Sequence, residues 1–201
     1  MRATTPRIAL EQEIAWNAAV KFRYLKAQFT LRIAQIAPLA EAVPPKRYGG
    51  TERVVSWLIE ELVDLGCCVT LFASGDSVTS GTLASAWPHA LWLIRGGVNE
   101  AAAYSSLLES IAAQANDFDV IHAHLDWIHL PLLSRLDVPF ITTLHGRLDL
   151  ANLAIMANRF PHASFVSISD NQRSPLPNLN WVGTARREPV LSGTNRANAD
   201  R

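Results

Sequence analysis

The chain has 201 residues, of which 49% are hydrophobic and 18% are charged, a composition typical of one globular domain with enough apolar residues for a core. Its eighteen basic and eighteen acidic residues cancel, which argues against electrostatic binding to nucleic acid or to an anionic membrane surface. No apolar run approaches the roughly 20 residues that a membrane-spanning helix needs. Charged residues also interrupt any secretory signal, so the prediction is a cytoplasmic protein.

The N-terminal residues 1–30 differ from the rest of the chain. Their apolar residues have a loose helical spacing, without a capping signal or one clean apolar face. We predict an extension that is partly helical or disordered, in preference to a helix that binds a membrane surface or a partner. An alternative is that translation begins at Leu31, where the first confident strand starts.

A strand, a loop and a helix follow in residues 31–65. Residues 31–37 form a short, mostly apolar run, as in a strand buried on both faces of a parallel sheet. Prolines keep the next dozen residues irregular, and Gly49-Gly50 precedes a helix that starts near Thr51. The predicted core stripe of that helix consists of Val54, Leu58, Leu62 and Leu65, and it is widened by Val55, Ile59 and Val63. The polar side carries Glu52, Arg53 and Glu60, and Gly66 ends the helix.

Strands and helices alternate along the remaining chain. Residues 67–73 form the second strand, and the adjacent Cys67 and Cys68 are expected to be reduced thiols because a disulfide between strand neighbours is strained. A short strand lies within 82–94, where Trp87 and Trp92 are expected to pack. Further strands are predicted at 117–124, 140–144 and 165–168, and helices at 99–115, 130–136, 151–159 and after Ser169, which begins a capping box with Gln172. This alternation predicts a doubly wound, mostly parallel Rossmann-like sheet with helices on both faces.

Ligands of such sheets bind at the carboxyl ends of the strands. Gly49-Gly50-Thr51, His124 and His145 directly follow predicted strands or open the first helix. The glycine spacing fits neither a dinucleotide fingerprint nor a Walker loop, and no Gly-x-Ser-x-Gly elbow is present. His122 is expected deeper in the sheet as a core histidine and His124 at the crevice edge; a metal site of His122, His124 and Asp126 is the less favoured alternative.

Four motifs occur in the order RIAQIAPL…YGGTERVVSWLIEELVDLGCCVTLFASGDS, FDVIHAHLD, VPFITTLHGR and FVSISDNQR. Over about residues 31–184 the chain resembles the N-terminal, acceptor-side domain of family 4 glycosyltransferases, which are retaining enzymes of the two-domain GT-B fold. The resemblance implies that Gly49, Gly50 and Thr51 bind the donor's diphosphate and sugar, that His124 is the active-site histidine, and that His145, Gly146 and Arg147 line the cleft. It implies a nucleotide-diphosphate sugar as co-substrate and a sugar or glycan as acceptor, with no metal or other cofactor.

The resemblance stops before the family's donor-binding domain, which holds the diphosphate with an arginine and a lysine. Residues 185–201 are polar and lack apolar periodicity, so we predict an irregular tail, as a cut or frameshifted gene would produce. We expect weak or no sugar transfer by this chain alone. The alternative is a non-catalytic carbohydrate-binding or interaction remnant, completed by a separate donor-binding domain or by self-association.

Overall fold

The computed structural model describes residues 30–95 and 97–185. The strands are β1 (Arg32–Ile36), β2 (Cys68–Ser74), β3 (Thr82–Trp87), β4 (Val120–Ala123), β5 (Phe140–Thr143), β6 (Ser164–Ser167) and β7 (Trp181–Thr184). The helices are α1 (Gly50–Asp64), α2 (Glu100–Gln114), α3 (Leu130–Leu133) and α4 (Leu153–Arg159). Predictions for the N-terminal extension and for the tail beyond residue 185 lie outside the described residues, and the predicted domain boundaries stay predictions.

The strands form one seven-stranded sheet in the order β3-β2-β1-β4-β5-β6-β7. Every strand pair in the described residues is parallel, so the predicted Rossmann-like α/β class is confirmed. From β1 the chain runs outward to β3, then returns to place β4 on the other side of β1. The crevice at this reversal of strand order is where open α/β sheets bind ligands.

Helix α1 covers one face of the sheet. Val55 and Ile59 are fully buried and pack against Val69 and Leu71 of β2, and burying a side chain such as Ile59 contributes about 1.5–3 kcal/mol. Both residues belong to the predicted stripe, but they lie at its buried centre and not at its widened edge. Val54 and Leu58 are only partly buried and line a surface cleft, and the sheet does not cover them.

The end of α1 was predicted correctly. Gly66 has φ 87°, its N–H donates to the carbonyl of Val63, and the N–H of Cys67 donates to the carbonyl of Leu62. This pair of bonds is a Schellman motif, which satisfies the last carbonyls of the helix. Glycine is needed at this position because a side chain is strained at that φ.

Helix α2 covers the opposite face. The side chain of Asn99 accepts the N–H of Ala102 at 3.1 Å, which is the predicted N-cap. Leu107 and Ile111 are fully buried in the same core cluster as Phe72 of β2. Since Leu71 and Phe72 point to opposite faces of the strand, the sheet has helices on both faces, as predicted.

Two local features of the structure differ from the prediction. Strand β7 was not predicted, because its four residues Trp181–Thr184 show no apolar alternation that reveals a strand. The helix after Ser169 is a single 3₁₀ turn at Asn171–Arg173. The side-chain oxygen of Gln172 accepts the N–H of Ile168, and its side-chain nitrogen donates to the carbonyls of Leu144 and Gly146 in the loop after β5. The side chain therefore joins neighbouring segments and does not continue a helix.

Trp92 was expected to pack in the core but is 63% exposed. Trp87, in contrast, packs against the core as expected. The short 3₁₀ turn Leu91–Leu93 buries Leu91 and turns Trp92 outward. Both cysteines are free thiols, as expected. No helix among the described residues has the length and apolarity that crossing a membrane requires.

Candidate functional site

A cleft of about 780 Å³ lies at the carboxyl edge of the sheet, beside the start of α1. One wall is the N-terminal half of α1 with the preceding loop; the other comes from residues just past β5, β6 and β7. We call it the α1 cleft, and its main lining residues are Tyr48, Gly49, Gly50, Thr51, Glu52, Trp57, Trp92, His145, Ile168 and Ala185. Four residues of the predicted site, Gly49, Gly50, Thr51 and His145, therefore line one space.

The two glycines before α1 have different roles in packing. A Cβ on Gly49 would lie 2.6 Å from Cβ of Pro45 and 2.8 Å from a carboxylate oxygen of Glu52, so the packed loop has no room for a side chain. A Cβ on Gly50 would meet nothing within 4 Å. The backbone at Gly50 is thus open to the cleft, where the first N–H groups of α1 have no acceptor within the helix.

Two buried carboxylates lie under the start of α1. Glu41 is 2% exposed and Glu52 is 5% exposed. Burial raises the pKa of Glu52 and the nearby Glu41 raises it further, while the backbone N–H of Glu52 lowers it. Glu52 was expected on the polar side of the helix; this was wrong because the loop at residues 38–49 covers the first turn of α1.

Three histidines and a glutamine form a hydrogen-bonded chain beside the cleft. Nδ1 of His124 lies 2.8 Å from Nε2 of His145, and Nε2 of His124 lies 3.1 Å from Oε1 of Gln35. Nε2 of Gln35 lies 3.3 Å from Nδ1 of His122, whose Nε2 is 2.8 Å from Oγ1 of Thr143. The chain runs from the end of β5 past β4 to β1 and then returns through β4 to β5, at the point where the strand order reverses.

His124 is more deeply buried than His122, which is the reverse of the prediction. His124 is only 3% exposed, and both of its ring nitrogens have protein partners. His122 is more exposed than His124, and His145 is the histidine that lines the α1 cleft. The catalytic role of His124 stays a prediction, but in this arrangement the residue reaches the cleft through His145.

Burial keeps these imidazoles neutral. It lowers the pKa of His122 and of His145 to about 4, and it lowers the pKa of His124 well below its usual value, with further repulsion from the neighbouring histidines. At pH 7 each ring therefore carries one N–H donor and one bare nitrogen.

Asp126 holds together the loops that carry His124 and His145. Its backbone has φ 49°, in the left-handed region that is strained for most side chains. Partial burial raises the pKa of its carboxylate, and the nearby backbone N–H groups of His145 and Gly146 oppose this rise. Across residues 30–95 and 97–185, no group of three or more His, Cys, Asp or Glu could hold a metal ion, which weighs against the alternative of His122, His124 and Asp126.

Gly146 and Arg147 lie apart from the α1 cleft. Gly146 is exposed, and Arg147 forms an ion pair with Asp149 at 2.8 Å while its side chain is 76% exposed. Their predicted contact with substrate stays a prediction. Sequence reasoning did not select Gln35, although a polar residue in the middle of the apolar run Arg32–Ile36 was a usable signal.

The structure is similar to those of glycosyltransferases. A glycosyltransferase from Rickettsia africae ESF-5 is 14% identical with a TM-score of 0.53, over 77% of this chain and 42% of that one. A sucrose-phosphate synthase structure from Thermosynechococcus elongatus is 16% identical with a TM-score of 0.51, over 82% of this chain and 90% of that one. AviGT4, involved in avilamycin A biosynthesis, is 21% identical with a TM-score of 0.44, over 72% of this chain.

The similarities to the Rickettsia enzyme and to the sucrose-phosphate synthase structure show a shared fold. The chain spans 37% of the length of AviGT4 and 42% of the Rickettsia enzyme, and no curated protein matches it. The family model described as Glycosyltransferase Family 4 matches residues 48–186, which is more than half of the chain and includes the start of α1 and the three histidines. The chain therefore belongs to glycosyltransferase family 4.

Proposed function

We propose that this chain is the acceptor-side domain of a retaining glycosyltransferase that uses a nucleotide-diphosphate sugar. The observation that carries the proposal is the α1 cleft, where the open N-terminus of a helix and a neutral histidine meet at one sheet edge. Backbone N–H groups at Gly50 and Thr51 suit the oxygens of a diphosphate. The imidazole of His145 suits a sugar hydroxyl.

Charge in the cleft indicates that a second unit is needed. Within the described part of the chain, no lysine or arginine lines the α1 cleft, whereas Glu52 and Glu61 do. A helix N-terminus carries about half a positive charge and contributes about 0.3–1 kcal/mol to a bound anion. A departing diphosphate needs more than this, so we propose that a donor-binding domain, in the same or another polypeptide, supplies the cations.

Saturation-transfer NMR with a panel of UDP- and GDP-sugars tests the proposal, since it detects weak ligands. We expect at least one donor to give signals that Gly50→Val abolishes, because the added side chain enters the open space at Gly50. Gly183→Ala in β7 is the control, since its Cβ would meet only Val166 at 4.0 Å. Signals that persist in Gly50→Val, or none from any donor, would contradict the proposed site.

Nucleotide release measures the second part of the proposal. The full chain with donor and a mixture of simple sugar acceptors should release little or no nucleotide. Rapid release by the chain alone would show that no further cationic unit is needed.

A non-catalytic carbohydrate-binding or interaction unit is the second candidate. It is favoured by aromatic side chains along the α1 cleft: Tyr48 is 80% exposed, Trp92 63% and Trp57 46%. Such a unit would bind free glycans as well as nucleotide sugars, and a self-associating unit would elute from gel filtration as a dimer. Glycan binding without any preference for the nucleotide would favour this candidate.

A further inference from the structure

With the amide of Gln35 oriented as the structure has it, the histidine chain beside the α1 cleft has a single direction. Oε1 of Gln35 can only accept a hydrogen bond, so Nε2 of His124, 3.1 Å away, must carry the proton. The amide nitrogen of Gln35 can only donate, so Nδ1 of His122 must be bare, and Nε2 of His122 then donates to Thr143. Every donor in the chain thus points from His145 toward Thr143.

The same donor and acceptor roles determine which ring nitrogen of His145, at the cleft, carries the proton. A neutral His124 that is protonated on Nε2 has a bare Nδ1, which accepts the proton on Nε2 of His145 at 2.8 Å. His145 is then bare on Nδ1, an atom with no partner among the residues that the structure describes. Bonds aligned in one direction strengthen one another, so reversing one bond requires reversing all four and turning the amide of Gln35.

We propose that Gln35 is a positioning residue that sets the tautomer of His145, so that a bare Nδ1 nitrogen is available to a ligand of the α1 cleft. A bare nitrogen accepts a hydrogen bond, so it selects a ligand with a hydroxyl donor at that point. The opposite tautomer would offer an N–H, which selects a carbonyl, a carboxylate or a phosphate oxygen. The relevance of this tautomer to sugar binding rests on the proposed function, whereas the prediction of the tautomer itself does not.

Long-range ¹H–¹⁵N NMR of the full chain, labelled with [¹⁵N]histidine at pH 7, tests the proposal directly. Protonated and bare ring nitrogens resonate in separate regions of the spectrum, and the His145→Gln variant identifies the signals of His145 by their loss. In the wild-type protein we expect His145 to be protonated on Nε2 and bare on Nδ1. A wild-type His145 protonated on Nδ1 would overturn the proposal.

A substitution of Thr143, at the opposite end of the hydrogen-bonded chain from His145, tests whether the four hydrogen bonds are coupled. Thr143→Val removes the acceptor of His122, and a buried N–H without a partner is less tolerated than a bare nitrogen without one. The whole chain should therefore reverse, moving the proton of His145 to Nδ1, four hydrogen bonds away. Thr143→Ser keeps the hydroxyl and should retain the wild-type tautomer.

Gln35→Met is the second variant and breaks the chain in its middle. His124 then loses the acceptor of its Nε2–H, so we expect it to donate through Nδ1 and to drive the proton of His145 to Nδ1. His129 bonds Thr142 outside this chain, and its ring signals should stay unchanged in all variants. An unchanged His145 tautomer in folded Thr143→Val or Gln35→Met would refute the role of Gln35, whether or not a sugar donor binds.

Discussion

His129 should make the protein unstable in mild acid. The side chain is fully buried; its Nε2 lies 2.7 Å from Oγ1 of Thr142, and its Nδ1 has no hydrogen-bond partner. Burial lowers its pKa to about 4, whereas the pKa of histidine in an unfolded chain is about 6.5. Between these values the unfolded chain takes up a proton that the folded chain does not, so stability is lost as the pH falls.

The size of this effect follows from the two pKa values. Linkage gives a loss of RT ln[(1 + 10^(6.5−pH))/(1 + 10^(4−pH))] in the free energy of unfolding, which amounts to about 1.8 kcal/mol more at pH 5 than at pH 7. A glutamine at this position cannot titrate. His129→Gln should therefore lose about 1.8 kcal/mol less than the wild-type protein between these pH values, whatever the variant's stability at pH 7.

Urea unfolding of both proteins at pH 5, 7 and 8 measures this difference. Between pH 7 and 8 the two proteins should change almost in parallel, because the same relation changes by only about 0.15 kcal/mol over that interval. The raised pKa of Glu52 and of Asp126 acts in the opposite sense, adding stability at low pH that is lost as the pH rises; it is present in both proteins and cancels. Equal losses for wild type and His129→Gln from pH 7 to 5 would refute a buried, neutral His129.

Four further substitutions test the packing, each by urea unfolding at pH 7. Gly49→Ala should destabilise the protein by about 1–3 kcal/mol, because its Cβ would overlap Pro45, while Gly50→Ala should change stability by less than about 0.5 kcal/mol; equal effects would be inconsistent with the loop packing. Asn99→Ala should cost about 0.5–2 kcal/mol through loss of the α2 cap, and a neutral result would mean that the cap is replaced. Ile59→Ala should cost about 2–5 kcal/mol, and a cost below about 1 kcal/mol would contradict its full burial.

The sequence was most informative where one local signal decides a structure. Strand β1 is a short, mostly apolar run, Asn99 precedes a helical pattern, and Gly66 supplies the positive φ that ends α1. Strand β7 had no comparable signal. Its four residues are ordered by pairing with β6 and by packing of Trp181 on Phe165 at 6.2 Å, neither of which is local in sequence.

The site was predicted in part for the same reason. That Gly49 and His145 follow strands is local information, and the parallel sheet brings both to one edge. The burial of His124 is not local, because it depends on Gln35 from β1 and His145 from β5 lying on either side of it. The burial of Glu52 likewise depends on how the proline-containing loop folds over the first turn of α1.

The strand order of the sheet also determines when the site can form during synthesis. Gln35 leaves the ribosome 87 residues before His122 and 89 residues before His124. Until β4 is synthesised, β2 is the only neighbour in the sheet with which β1 can pair. The other edge of β1 then has no strand partner, and the amide of Gln35 lacks its histidine partners. A nascent chain that stops before β4 can build the α1 unit with its glycine loop, but it has no histidine beside it. Closing that long loop is slow compared with local folding, so the edge of β1 stays open to wrong partners until β4 pairs with it.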